Sequence, residues 1–446
     1  MSGLPDTWLR VALGDVVDYG KSAKADPEEI AADAWVLDLE DIEKDSSRLL
    51  HRTRAAETSP KSTKNVFKAG DVLYGKLRPY LNKVLIADEP GYCTTEILPL
   101  DAQGLLHQQY LFYWLKSTEF LDYVVAQSHG MNMPRLGTDA GRAAPLVVAP
   151  LAEQQRIADK LEAVLGRVDA CRDRLARVGP LLKRFRQSVL QAGTAGTLTD
   201  AWRQRNGEAP WRDATLGELG IVSGGLTKNA RREALVTRYR YLRVANVYAN
   251  RLALDDVADI GATEAEIRKT RLEDGDLLIV EGNGSIEQVG RVAMWRGALL
   301  DCSHQNHLIR WRAGTDALPA YVLYWLMSPQ GRAALMARAS SSSGLHTLSI
   351  SKVGSIALSI PSIAEQAAIV AEVQRLFELA DRLEARLLTA LRWSAHLTPA
   401  LLAKAFRGEL VPQDPTDEPA QALLDRLRAA RASEPPGRRR RQPAGA

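Results

Sequence analysis

Between Glu153 and Leu190 the apolar positions fall at Ile157, Leu161, Val164, Val168, Cys171, Leu175, Val178, Leu182, Phe185 and Val189, in steps alternating four and three. That 3.5-residue spacing is the seam of a coiled coil. Adding 212 gives Ile369, Val373, Leu376, Ala380, Leu383, Leu387, Ala390, Ser394, Leu397 and Leu401, so a second stretch repeats the first and weakens only at Ala390 and Ser394. Charged residues fill the remaining faces, as on a solvated flank. Matching registers of this length predict two helices packed on each other; the alternative is two amphipathic helices, each held by its own domain. The strongest seam positions are Ile157, Leu161, Val164, Val168 and Leu175 in the first helix, and Ile369, Val373, Leu376, Leu383 and Leu387 in the second. Gly179-Pro180 and Pro399 interrupt the distal parts, and a proline inside a helix costs about 3 kcal/mol. The first helix is therefore expected to run to about Val178 and to restart with Pro180 in its first turn. Glu153 to Val178 spans about 39 Å at 1.5 Å per residue, close to one turn of B-DNA, about 34–36 Å.

The helices belong to a larger duplication. Tyr110-Leu-Phe-Tyr113-Trp114-Leu115 reappears as Tyr321-Val-Leu-Tyr324-Trp325-Leu326, and Pro150-Leu-Ala-Glu153-Gln154-Gln155-Arg-Ile157 as Pro361-Ser-Ile-Ala-Glu365-Gln366-Ala-Ala-Ile369. Trp8 with Leu13-Gly14 matches Trp211 with Leu216-Gly217, and Gly70-Asp71 matches Gly275-Asp276. Two copies of one module of about 210 residues are too few and too long for a solenoid. Ahead of each helix, β-rich runs (Val72–Tyr74, Lys83–Ile86, Leu277–Val280, Arg291–Trp295) alternate with loops, while Tyr110–Leu115 and Tyr321–Met327 read as short helices. The expected fold is mixed α/β, with two heads of roughly 150 residues.

Composition narrows the function classes. The 446 residues exceed one ordinary core, and no run of about 18 uncharged apolar residues predicts a membrane span. The N-terminus lacks the basic and apolar regions of a signal peptide, and Cys93, Cys171 and Cys302 form no metal-type pair, so a cytoplasmic protein without disulfides is expected. Net charge is +4, but residues 1–150 hold 16 Lys/Arg against 21 Asp/Glu. Any grip on DNA must use local patches or a basic partner. Catalytic motifs fail on spacing: five residues separate Gly14 from Gly20-Lys21-Ser22 where a phosphate loop needs four, and Gly282-Asn-Gly284 lacks a third glycine. His304-Gln-Asn-His307 could form half a metal site, but no third ligand stands out, and polar loop residues serve as well.

Polar and basic clusters in each head are the DNA-reading candidates. The first head offers Lys76, Arg78, Tyr80, Asn82 and Lys83, then His129, Asn132 and Arg135 just after the Tyr-Trp helix. The second offers Asn283, Ser285 and Gln288, then Ser342, Gly344, His346 and Thr347 at the matching place. Arg suits guanine and Asn adenine in the major groove, while Lys and Arg grip phosphate. The frame is shared and the loops diverge, as reading a two-part, non-palindromic site requires.

With these features the chain closely resembles the specificity subunits of Type I restriction–modification enzymes. The resemblance rests on the two-fold repeat, the Glu-Gln start of each helix, and the run Leu402-Ala-Lys404-Ala-Phe406-Arg407-Gly408-Glu409-Leu410-Val411-Pro412, with the related Gly196-Thr-Leu198-Thr-Asp-Ala-Trp202-Arg203 after the first helix. The second start, Glu365-Gln-Ala-Ala-Ile369, departs mildly from the typical Glu-Gln-Gln-Arg-Ile. The resemblance implies target recognition domains at 1–150 and 206–360, helical regions at 151–205 and 361–412 packing as an antiparallel coiled coil, and a C-terminal extension at 413–446. It implies a non-catalytic subunit that binds double-stranded DNA, two modification (methyltransferase) subunits and restriction subunits. S-adenosylmethionine, ATP and Mg²⁺ would belong to those partners, and no cofactor to this chain. Two other readings stay open: a methyltransferase-only or other phage-defence system, and a two-headed protein scaffold. Residues 421–446, with Ser433-Glu-Pro-Pro-Gly and Arg438–Arg441, are expected to form a disordered tail after a short amphipathic piece.

Overall fold

The computed structural model describes residues 3–101, 106–207, 209–342 and 345–433, and of 341–342, 345 and 430–433 the backbone alone. The chain forms two compact units, Met1–Leu175 with Ala390–Ala446, and Ala176–Thr389. Helix and strand are mixed throughout.

In the first unit a three-stranded antiparallel sheet has Val72–Gly75 at its centre, between Val84–Ile86 and Ile97–Leu100. A five-stranded sheet lies alongside, in the order Lys24–Ala25, Lys64–Phe67, Gly91–Cys93, Trp35–Leu37, Thr53–Arg54. The central strand is buried on both faces because strand side chains alternate: Val72 and Tyr74 enter the core of Trp8, Tyr110 and Trp114, while Leu73 enters that of Trp35 and Phe67.

The second unit repeats the plan. Leu277–Val280 runs between Leu308–Ala313 and Val292–Met294, with Gly220–Ser223 at one edge. Leu277 and Ile279 face the core of Tyr321 and Trp325, and Leu278 and Val280 that of Trp295 and Leu308. The duplicated Gly-Asp pair makes the turn into each central strand. Gly70 and Gly275 both take φ +91°, a conformation that only glycine adopts without strain. Asp71 and Asp276 each accept the backbone N–H three residues back, from Lys68 and Glu273, at 2.8 Å.

The duplicated Trp and Glu-Gln motifs mount each head on its helix. In the first unit Trp8 Nε1 donates to Glu153 Oε2 at 2.8 Å, and Gln154 accepts from His107 N and donates to Ala149 O, both at 2.8 Å. In the second, Trp211 Nε1 donates to Glu365 Oε2 at 3.1 Å; Gln366 accepts from Leu318 N at 2.8 Å and donates to Pro361 O at 2.9 Å. All four Glu and Gln side chains are buried, so losing one partner would strand a polar group away from water. Burial raises the Glu153 carboxyl pKa, and the Trp8 and Gln413 donors pull it back. The Tyr-Trp helices, Gln108–Leu115 and Pro319–Met327, brace the other side: Tyr110 and Tyr321 hydroxyls donate to Val147 O and Ser359 O.

The long helices are Leu151–Thr194 and Ile363–Phe406. In the first unit Arg172 of the first helix donates to Ser394 O at 2.5 Å and Thr398 Oγ1 at 3.1 Å of the second, and Ile157 and Leu161 share a core with Leu402 and Phe406. In the second unit Arg186 pairs with Asp381 at 2.6 Å and Glu384 at 2.8 Å, while Val189 and Leu190 share a core with Ile369 and Val373. Early residues of one helix meet late residues of the other, so the pair is antiparallel.

Three expectations need correction. The first helix does not restart at Pro180: helix runs unbroken to Thr194, with Pro180 inside it as Pro399 is inside the second. Both prolines are exposed, so water can take the backbone carbonyl each displaces, while Leu182 just beyond stays buried. The seam also drifts. Ile157, Leu161, Val168, Ile369, Val373 and Leu387 are buried, but Val164, Leu175 and Leu376 are half-buried, Cys171 is exposed and Leu383 is 40% exposed. Leu165 is buried instead of its seam neighbour Val164, because a helix with 3.6 residues per turn rotates away from a strict 3.5 repeat. Finally, Ala420–Ser433 is a helix, with Leu423, Leu424 and Leu427 buried against Leu9, Val11, Val16 and Val148. Arg438–Arg441 lie outside the described residues.

Candidate nucleic-acid interface

In the first head the two sequence clusters come together. Leu77 bridges Arg135 in antiparallel fashion, Arg78 N donates to Pro134 O at 2.7 Å, and Leu136 N donates to Lys76 O at 3.0 Å. The segment Lys76–Tyr80 and the hairpin His129–Arg135 thus lie side by side. Arg78 sits at φ +49°, its guanidinium 3.5 Å from Asn132 O, and both it and Tyr80 are exposed. His129 and Arg135 close a hairpin whose tip carries Asn132 between Met131 and Met133. Asn82 and Lys83 stand apart. Asn82 is buried at φ +48° with Oδ1 lacking a donor, and Lys83 Nζ donates to Leu39 O at 2.6 Å, so both brace the loop from inside.

The second head joins its clusters as a three-stranded ribbon, Gly282–Asn283 pairing with Leu345–Thr347, and that strand with Ser340–Ser342. Asn283 opposes His346, and Gly282 opposes Thr347. Asn283 Oδ1 accepts from Ser285 N at 3.0 Å, so this side chain shapes its own turn. Ser285 and Gln288 are exposed beyond it. Arg332 fastens the loop by donating to Val289 O at 2.8 Å and Glu287 O at 3.1 Å. The Ser342 side chain and Gly344 lie outside the described residues.

One backbone frame underlies both surfaces. In the first head Lys76 N donates to Glu96 O at 2.9 Å and Lys76 O accepts from Leu136 N at 3.0 Å; in the second, Glu281 N donates to His307 O at 3.0 Å and Glu281 O accepts from Leu348 N at 2.8 Å. The side chains on it differ: Glu96 holds Arg135 at 3.1 Å, whereas Glu281 holds His307 at 2.9 Å. Glu96 was not singled out in sequence, and its place is visible only once the strand Ile97–Leu100 is paired.

Comparison with known proteins decides the family. Over 353 residues the chain is 32% identical to the Type I restriction enzyme EcoKI specificity subunit of Escherichia coli (strain K12), covering 75% of this chain and 74% of that one. The chain belongs to the Type I restriction enzyme specificity subunits. Another relative, the StySPI specificity subunit of Salmonella potsdam, is 31% identical over 343 residues, covering 75% of this chain and 74% of its own. Among solved structures, one concerned with complex assembly and conformational transition of the type I R-M system aligns at TM-score 0.71 and 20% identity, over 92% of this chain and 100% of that one. The HsdS subunit from Thermoanaerobacter tengcongensis aligns at TM-score 0.60 and 19% identity, over 92% and 98%. At these identities they speak for the fold, and they share the mixed architecture. No family model matches. No helix among the described residues is long and apolar enough to cross a membrane.

In this specificity subunit the second head carries a titrating group in its core. His304 is buried, Nδ1 3.0 Å from Leu308 O and Nε2 without a partner. Burial, reinforced by Arg310, pulls its pKa down to about 4. The unfolded value is about 6.5, so below that pH the unfolded chain binds a proton that the fold refuses. Stability is full above pH ~6.5 and falls as pH drops toward 4, by up to about 3 kcal/mol. Denaturant melts at pH 7 and pH 5 should show this decline in the wild type and a smaller one in His304→Leu, itself weaker at pH 7; equal declines would place the titration elsewhere.

Proposed function

We propose that this specificity subunit reads a split double-stranded DNA target, one half with each head, and does no covalent chemistry itself. The observation carrying this reading is the repeated frame around Lys76 and Glu281, which mounts different side chains on the same backbone. Such a frame lets sequence preference change while the mounting stays fixed. The half-buried Lys76, the exposed Arg78 and Tyr80 and the Asn132 hairpin supply phosphate grip and base-edge donors in the first head; His346 and Thr347 flank the matching surface in the second.

The modest charge suits a subunit that shares its hold on DNA with partners. Two modification subunits would bring S-adenosylmethionine, and restriction subunits ATP and Mg²⁺, in the cytoplasm. The second long helix carries exposed apolar side chains that partners could cover, Leu383 and Leu388 in one unit and Trp393 (71% exposed) and Leu397 in the other.

The test is methylation mapping of DNA from cells that express the cognate modification subunit with and without this chain. A split methyladenine motif that appears only with the chain is the expected result. A folded complex that yields no motif would overturn the reading.

A further inference from the structure

The histidines at 304 and 307, which sequence alone allows as half a metal site or as ordinary polar loop residues, take separate roles, and no group of three metal-binding side chains forms among the described residues. His304 lies in the core. The His307 side chain emerges on the surface of the second head, 57% exposed. Its turn is fixed on three sides: Asn306 N donates to Leu226 O at 3.1 Å, Leu308 N to Gln305 O at 2.9 Å, and Glu281 N to His307 O at 3.0 Å. The flanking strands, Ser303–His304 and Leu308–Ala313, lie mostly in the core. A side chain on such a mount holds its aim better than one on a hairpin tip.

The ring's polarity follows from its partner. Nδ1 lies 2.9 Å from Glu281 Oε2, and an ionised carboxylate can only accept, so Nδ1 carries the proton. In the neutral imidazole, Nε2 is left with a free lone pair. Glu281 leads directly into Gly282–Asn283, which pairs with the Leu345–Thr347 strand, so the ring stands beside the ribbon offered for base contact. At the matching place the first head has Glu96, an acceptor, which holds the Arg135 guanidinium of the neighbouring hairpin.

Resting on the DNA-reading function proposed above, we infer that His307 is a specificity-determining residue of the second head, its Nε2 accepting a hydrogen bond from the exocyclic amino group of an adenine or cytosine. Both amino groups are displayed in the major groove, where guanine and thymine present carbonyl acceptors at the corresponding position. Glu281 is then a positioning residue that fixes the tautomer and the ring plane.

The experiment is methylation mapping with His307→Ala and His307→Gln in the full complex. The unchanged first half-site serves as the internal control for folding and assembly. In His307→Ala, one position of the second half-site that demands adenine or cytosine should become degenerate, its preference falling about tenfold. His307→Gln, which keeps an acceptor, should restore part of it. If His307→Ala abolishes methylation altogether, Glu281→Gln carries the test and should loosen the same position. An unchanged motif, or uniform loss at all sites with the motif intact, would overturn the assignment and leave the two-headed reading standing. Failure of the wild type to give any split motif would sink both.

Discussion

Exchanging residues 1–150 for the first head of another specificity subunit should rewrite one half of the methylated motif and leave the other half and the spacing untouched. The head meets its helix through a small set of contacts that a donor must reproduce: Trp8 on Glu153, Gln154 on His107 N and Ala149 O, and the Tyr110 and Trp114 rings edge-on to Phe406. None of these lies in the Lys76–Tyr80 loop or the His129–Arg135 hairpin, so reading and mounting are separable. Each wrong base pair costs about 1–3 kcal/mol, so three altered positions shift preference about a hundredfold or more. Methylation mapping of the chimaera measures this directly. Changes in both half-sites would show that the heads are not independent readers.

The second large effect concerns spacing. Inserting one heptad into each long helix, where the chain passes from one unit to the other near Leu175 and Thr389, should lengthen the unread spacer by about three base pairs. Seven residues add about 10 Å of helix, and base pairs rise about 3.4 Å each. Seven residues also return the helix nearly to its starting face, about 20° short of two full turns, so the packed flank is preserved. Inserting four residues instead would turn the flank by about 40° at 100° per residue and should weaken the fold. An unchanged spacer in the heptad variant would mean that the helices do not set it.

Much of the architecture could be read from sequence because it was written twice. The Gly-Asp turns, Tyr-Trp helices and Glu-Gln starts stood out as repeats, and the structure assigns each a mechanical role. The central strands Val72–Gly75 and Leu277–Val280 were visible as short apolar runs. Other features depended on tertiary context. Pro180 argued locally for a break, yet its solvent-facing position and the buried Leu182 beyond it let the helix continue. Leu383 fitted the heptad count but not the rotation of a real helix. Of the Ala420–Ser433 helix only a short amphipathic piece could be read in sequence; the helix persists because Leu423, Leu424 and Leu427 find Leu9, Val11 and Val148, far earlier in the sequence. At the candidate interface, Asn82 and Asn283 had suitable chemistry for reading bases, but one is buried and the other serves its own turn. His307 stands three positions from His304 in sequence, but its side-chain partner, Glu281, is 26 positions away and shows only in the fold.

The discontinuous composition of the first unit bears on biosynthesis. Chains usually fold from the N-terminus as they leave the ribosome. Here the core around Trp8, Tyr110 and Trp114 includes Leu402, Phe406, Leu423 and Leu427, translated about 300 residues after Trp114. The second unit draws only on Ala176–Thr389. The first head must therefore wait, incomplete, while the second is made, and the Ala420–Ser433 helix, the last among the described residues, closes it.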